Sequence, residues 1–398
     1  MTDSHIILHV GAPKCGSSAL QTALTMTPDL EDAAGRRYRY TFCPTARPGW
    51  HLLYGAEVQR AGRRSKYGYA SWPDLRKDAD PALVFRALQK ACRTGLREGH
   101  VPIASCEGWI NSPEVFARVL AEWGHPPVDV VAFLRPPVDW VNAAYWQWGI
   151  WHAPSIDAWL QQGNLHYRLG LDLEAWSKIP NVRLHVRRPQ PDVVQKFAEI
   201  YGVTLPGVGM PNASSSPSLI GFLLRNRRFR RSAHDSSVEF IVQRWCPPVP
   251  GRKPWAIRAR HVHLMRQVTK RNVDAVMRVV SEAERQDLLG DPRWVQEKPY
   301  HPAILAGPTV VDDRTELPHL HAALLQGVRN ASEAAGAAVP ALPDCPAASA
   351  SLEQWDSVLA SVMDALLAAD LAVRQQAGEA GAKDVRRRVL NMLARRMR

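Results

Sequence analysis

The sequence predicts an α/β fold: a central, mostly parallel sheet flanked by helices, followed by a helical C-terminal extension. Three observations carry this. Short β-branched apolar runs, "IILHV", "VPIASC", "VDVVAFL" and "VRLHV", recur along the first half of the chain. Each is followed by a helix-start signal. After the fourth of them, beyond about residue 215, strand patterns stop and only helical patterns continue. Strands alternating with helices are the pattern of a parallel sheet covered by its crossover helices.

The elements follow in order. Ser17 or Ser18 opens a helix after the first strand, with Leu20 and Leu24 on one face. Residues 28–80, rich in Arg, Tyr, Pro and Gly, read as irregular, and 82–98 as helical. After the second strand, Ser112-Pro113-Glu114 places a cap, a first-turn proline and an acid at a helix start. "PVDWVNAAYWQWGIW" is a helix led by proline, and "PDVVQKFAEIYG" a helix closed by Gly202. Beyond about residue 215, "SLIGFLLRNRRFRR", 255–287 and 351–376 read as helical. The Ala/Pro-rich 331–350 reads as a linker. The expected layout is an α/β domain over 1–300, an irregular Ala/Pro-rich linker over 301–350, and a helical basic segment over 351–398.

The chain of 398 residues carries a formal net charge of +12, so an anionic partner is expected. Nucleic acid, a phosphorylated cofactor, an acidic polysaccharide and a membrane surface all satisfy charge alone. Nucleic acid has no recognisable module here and is set aside. The first strand starts within a few residues of Met1, so no cleaved signal peptide is expected. The most apolar helical stretch carries Asp356, Asp364 and Asp370 and does not read as a membrane span. The six cysteines form no CxxC pair, which argues against zinc and for a reducing compartment. The cytoplasm is the expected location. The basic amphipathic end, "VRRRVLNMLARRMR", adds peripheral contact with an anionic inner membrane face, or packing of a frayed end on the domain.

The chemistry concentrates in "HVGAPKCGSSAL". A triphosphatase loop is GxxxxGK[ST]. Aligned on Gly11 and Gly16, this loop has Ser17 where that lysine belongs and carries Lys14 inside the loop instead. Backbone N–H groups at the helix start can still face an anion, with the Ser17 and Ser18 hydroxyls beside them. No acidic magnesium site is evident. The bland alternative is a strand–turn–helix with a surface lysine.

This loop resembles the 5′-phosphosulfate-binding loop of PAPS-dependent sulfotransferases, in particular bacterial sulfotransferase-like members, whose fold is related to P-loop nucleotide kinases. PAPS is 3′-phosphoadenylyl sulfate, and PAP its desulfated product. The resemblance implies that Gly11, Pro13, Lys14, Cys15, Gly16, Ser17 and Ser18 form the cofactor loop, with Lys14 near the bridging oxygen. A second motif, "LRPPVDWVNAAYWQW", resembles the family's 3′-phosphate reader, R-x-P-x-x-x-x-x-S-x-Y, through Arg135, Pro137 and Tyr145. An arginine at a strand end can fork onto a phosphate. The departure is Ala143, which replaces the serine; Asn142, turned by about 100° on the helix, or the arginines of "RNRRFRR" are the candidate substitutes. The similarity covers roughly residues 5–230.

The implied reaction is in-line transfer of a sulfuryl group from PAPS to a hydroxyl or amine, catalysed by positioning and cations without a metal. Lys14 would stabilise the leaving phosphate. Glu107, in "SCEGW" after the second strand, is the expected base, with His51 as the alternative. Each could equally be a solvated surface side chain. Trp140, Trp146 and Trp148 read as core, and Trp109 as core or as a wall beside Glu107. The acceptor class, carbohydrate, glycolipid, peptide or small alcohol, is not legible. A kinase-like enzyme and a degenerate, turnover-free binder of nucleotide or acidic glycan are the rivals.

Overall fold

The computed structural model describes residues 5–44, 51–75, 80–163, 167–207, 214–347 and 349–396, with side chains described up to residue 378. Six strands are present: β1 (Ile6–His9), β2 (Asp29–Glu31), β3 (Arg37–Tyr40), β4 (His100–Ser105), β5 (Val128–Phe133) and β6 (Val182–Arg187). The helices are α1 (Ser17–Met26), α2 (Ala56–Arg64), α3 (Pro81–Glu98), α4 (Pro113–Glu122), α5 (Pro137–Gln147), α6 (Ile156–Gln161), α7 (Leu169–Ser177) and α8 (Val193–Tyr201). They continue as α9 (Pro217–Arg225), α10 (Ser237–Trp245), α11 (Ala259–Val279), α12 (Glu282–Leu289), α13 (His301–Leu305), α14 (Leu317–Ala334) and α15 (Leu352–Arg396).

The strands form one sheet in the order β2-β3-β4-β1-β5-β6. All neighbours are parallel except β2, which pairs antiparallel with β3. This is a mostly parallel α/β sheet flanked by helices. β1, β4 and β5 are buried along their whole length, as parallel strands covered on both faces are. The chain leaves β1 and later returns to β4 on one side and β5 on the other, so β1 lies where the strand order reverses. Ligands of open α/β sheets bind outside the carboxyl ends of the strands at such a point. Local signals set the helix ends. Asp80 caps α3 through the Ala82 N–H, Pro81 starts it, and Gly99 ends it in the left-handed region. Asp192 and Gly202 do the same for α8.

Two expectations need correction here. Residues 28–80 are not simply irregular: they contain β2, β3 and α2. In "RYRY" the tyrosines Tyr38 and Tyr40 point inward and the arginines outward, a two-residue period that the arginines disguise. The supposed linker 301–350 contains α13 and α14. Leu317, Leu320, Leu324, Val328 and Ala331 repeat at helical spacing and are buried.

The described chain divides into two compact units. One comprises Met1–Gln59, Tyr69–Asn212 and Trp255–Pro308; the other comprises Arg60–Gly68, Ala213–Pro254 and Thr309–Arg398. The split is therefore not the contiguous 1–300, 301–350 and 351–398. The segment 213–254 folds with the C-terminal helices because specific pairs hold it there. Arg225 grips Asp356, Trp245 Nε1 donates to Asp370, and Asn330 donates to the Trp245 carbonyl. Nor is "RNRRFRR" a helix: α9 ends at Arg225, and the following residues turn. Among the described residues, no helix is long and apolar enough to cross a membrane.

Candidate functional site

The β1–α1 loop leaves the sheet at its carboxyl edge and is tied down along its length. The Val10 N–H donates to the Val131 carbonyl and the Val10 carbonyl accepts from Ile110 N–H, both at 3.1 Å. Trp140 Nε1 donates to the Pro13 carbonyl at 2.8 Å. Three residues of the loop are left-handed: Gly11 (φ 63°), Lys14 (φ 65°) and Gly16 (φ 98°). For Lys14 this costs on the order of 1 kcal/mol, a strain that persists only because the surroundings enforce it. It turns the side chain towards α5, where the ammonium donates to Gln147 Oε1 at 2.9 Å. Gly16 is the residue before α1, and no side chain caps that helix. The first N–H groups of α1 thus meet a loop that carries a lysine.

The other expected residues converge on this loop. A Cβ added at Gly11 would lie 2.6 Å from the Glu107 Cα and 3.1 Å from Ser17 Oγ. Glu107 therefore stands against the loop, at the end of β4, held by the Cys106 N–H donating to the His9 carbonyl at 3.1 Å. Arg135 follows β5, and its carbonyl accepts from the Tyr167 hydroxyl at 3.1 Å. Cys15 records the convergence. Its thiol is buried, and burial pushes it up to about 12; Arg135, through its charge and its backbone, and Lys14 pull it down, while Glu107 pushes it up. Loop lysine, strand-end arginine and glutamate thus act on one buried atom. Cys15 itself faces the core, so only its backbone is offered to a ligand.

Two polar atoms at this convergence are buried without a hydrogen-bond partner: Ser17 Oγ and Arg135 Nε. Unmet buried donors are uncommon and mark places where a ligand or water completes the set. Ser18, on the next position, is half-buried. Trp140, Ala143 and Gln147 share one face of α5 by their spacing, and the first and last of them touch the loop. The position expected to carry a hydroxyl thus faces the loop with a methyl group.

Behind the loop lies a buried polar network. His9 Nδ1 and Ser105 Oγ are 2.7 Å apart, and Gln21 Nε2 donates to Ser105 and Ser71. It ties the ends of β1 and β4 to α1. Burial lowers the His9 pKa to about 3, so the ring is neutral. Asp139, at the start of α5, is shifted upward by burial, against the attraction of Arg293 and a Tyr300 hydrogen bond.

Of the two readings of Trp109 the core one holds: it is fully buried, with Nε1 donating to the Pro73 carbonyl. Other expectations are not met. Asn142 accepts the Ala256 N–H at 2.9 Å, so its carboxamide oxygen is already engaged. Within "RNRRFRR", Arg225, Arg228 and Arg230 are held by Asp312 and Asp356, Asp364, and Glu239 respectively, and do not form an open cationic rim. His51 is exposed, two residues before the Leu53–Phe42 bridge that prolongs β3. That places it at the carboxyl edge, but among the described residues no hydrogen bond or ion pair joins it to the loop. Sequence reasoning missed Gln147 and the His9–Ser105–Gln21 network. The spacing of Gln147 from Trp140 was the available signal for the first; nothing in the spacing signalled the second. Among the described residues, no group of three His, Cys, Asp or Glu side chains could hold a metal ion.

Compared with known proteins, the chain matches no family model, and no curated protein and no solved structure is similar to it.

Proposed function

We propose that the protein is a PAPS-dependent sulfotransferase of the P-loop-related fold, moving a sulfuryl group to a hydroxyl or amine acceptor. The observation that carries the reading is the convergence of Lys14, Arg135 and Glu107 around the Gly11–Ser17 loop at the carboxyl edge of β1, β4 and β5. A loop of N–H groups with one lysine suits the 5′-phosphosulfate, and Arg135 suits the 3′-phosphate. In the free protein Gln147 holds the Lys14 ammonium. On binding, that ammonium would transfer to the bridging oxygen, where negative charge grows as the S–O bond breaks. Glu107 would take the acceptor's proton, with His51 as the alternative base. PAPS would enter as co-substrate and PAP leave as product, with no metal required. The acceptor is a small molecule or glycan, and the working location is the cytoplasm or its membrane face.

Ala143 favours a second reading, a nucleotide binder of the same fold without turnover. A kinase-like enzyme is disfavoured by the absence of the lysine at position 17. Calorimetry with PAP and ATP, followed by labelled PAPS with an acceptor panel, separates the three. PAP binding with turnover supports the transferase, PAP binding without turnover the binder, and ATP preference the kinase. Binding of neither nucleotide sinks all three.

A further inference from the structure

The amino edge of the same sheet carries a polar hollow of about 470 Å³. Strand register explains how it forms. Ile7 pairs with Asp129, and Asp129 with Arg183, so these residues share one face of the sheet. His5, two residues before Ile7, and His185, two after Arg183, fall on that face too. Tyr201, at the end of α8, covers it and packs on Tyr38 with ring centroids 5.6 Å apart. Arg36 closes the near side, 5.7 Å from the Tyr38 ring centroid.

The hydrogen bonds define the charges. Arg36 Nη2 lies 2.6 Å from His5 Nδ1, and a guanidinium can only donate, so this nitrogen is the acceptor. The His5 proton then sits on Nε2, 3.2 Å from Asp129. Burial would raise Asp129, but the His185 and His5 rings outweigh it and hold the carboxyl well below its usual range, so it is ionised. Among the lining residues Asp129 stands with two guanidinium groups, Arg36 and Arg183, while Asp32 beside them accepts the Tyr38 hydroxyl and attracts Arg36. Arg183 is exposed and pairs with no carboxylate among the described residues. One further donor at this hollow is buried without a hydrogen-bond partner, Tyr201 Oη; His185 Nε2 lies 3.7 Å from Asp129. Burial keeps the Tyr201 phenol protonated. A smaller hollow of about 210 Å³ shares His5 and Arg36 and adds His100, whose Nδ1 lies 4.0 Å from Glu98. Two arginines, an unmet buried hydroxyl and a half-open hollow coincide.

We infer that this hollow binds a small tetrahedral oxyanion, phosphate or sulfate or the head group of a small ester of either. Arg183 and Arg36 would grip it, and the Tyr201 hydroxyl would donate to it. Its residues are separate from those of the loop, so the inference stands without the reading of the loop.

The test is an NMR titration of the His5 and His185 ring signals in the full chain with inorganic phosphate, and separately sulfate. Saturating PAP keeps the loop filled, and chloride holds ionic strength constant. The expected result is a saturable shift of the His185 and His5 signals. Arg183→Gln and Arg36→Ala should each weaken it by about tenfold or more, the loss of one charged hydrogen bond, while Lys14→Ala leaves it intact. The tighter of the two anions identifies the ester class. Both substituted side chains are exposed, and circular dichroism checks that each variant is folded. A shift that never saturates, or one unchanged in both arginine variants, means an adventitious ion only and overturns the inference. Should PAP fail to bind, the same titration in Lys14→Ala reads this hollow alone, and the two failures are told apart.

Discussion

Replacing Gly11 with alanine perturbs chiefly the contact between the loop and the Glu107 backbone, with Ser17 Oγ next nearest at 3.1 Å. Two costs combine. The left-handed backbone (φ 63°) penalises any Cβ, by on the order of 1–2 kcal/mol. The new Cβ would also sit 2.6 Å from the Glu107 Cα, a backbone atom that cannot swing away. Either the loop or the β4 end must move, which costs a further ~1–3 kcal/mol as overpacking does. Gly124 supplies the control, because it is equally left-handed (φ 78°) and has nothing within 4 Å of an added Cβ. Gly124→Ala should lose only the backbone part. The assay is urea unfolding of both variants beside PAP calorimetry. Gly11→Ala should be less stable than Gly124→Ala by ~1–3 kcal/mol and should bind PAP more weakly. Equal stability of the two variants with unchanged PAP affinity would refute the packing of the loop on Glu107.

Four further outcomes follow from the same geometry. Arg135→Ala should weaken PAP binding by roughly 10- to 100-fold, the worth of a charged hydrogen bond, and Arg135→Lys should restore only part of it because the fork is lost; calorimetry reads both. His9 is neutral in the folded state with its pKa lowered by burial to about 3. Its contribution is thus fully present above about pH 6.5 and is lost as pH falls towards 3, at up to about 1.4 kcal/mol per pH unit. His9→Gln should flatten that slope in urea unfolding measured between pH 7 and pH 4. Cys15 should resist alkylation in the native protein while the exposed Cys345 reacts, as peptide mass mapping would show; rapid native labelling of Cys15 would contradict its burial. Glu239→Gln removes the carboxylate that pairs with the buried Arg230 guanidinium, and should destabilise its unit by ~3–5 kcal/mol in thermal unfolding.

The sheet was legible wherever a strand is buried on both faces. "IILHV", "VPIASC" and "VDVVAFL" are continuous apolar runs because β1, β4 and β5 are covered above and below. β2 and β3 escaped because this end of the sheet shows one face to water, so the inward Tyr38 and Tyr40 of β3 alternate with arginines. α14 escaped because its buried stripe lies among alanines and histidines next to a true Pro-rich stretch. At the site, Lys14, Arg135 and Glu107 were singled out by the resemblance of their motifs, and they come together because parallel strands bring their carboxyl ends to one edge. Gln147 and the His9–Ser105–Gln21 network depend on side chains that meet only after helices pack on the sheet. No local spacing encodes those meetings. The arginine run misled for a related reason: charge density was visible, but the aspartates that neutralise it lie far along the chain.

The central claim is that the Gly11–Ser17 loop and Arg135 together form a PAP-class nucleotide site. Calorimetry of the full chain with PAP, repeated on Lys14→Ala and Arg135→Ala, tests it most directly. The account predicts saturable 1:1 binding to the unaltered protein, preference for PAP over ATP, and weaker binding in both variants. Absence of PAP binding by the folded, unaltered chain, or binding that both substitutions leave untouched, would contradict it.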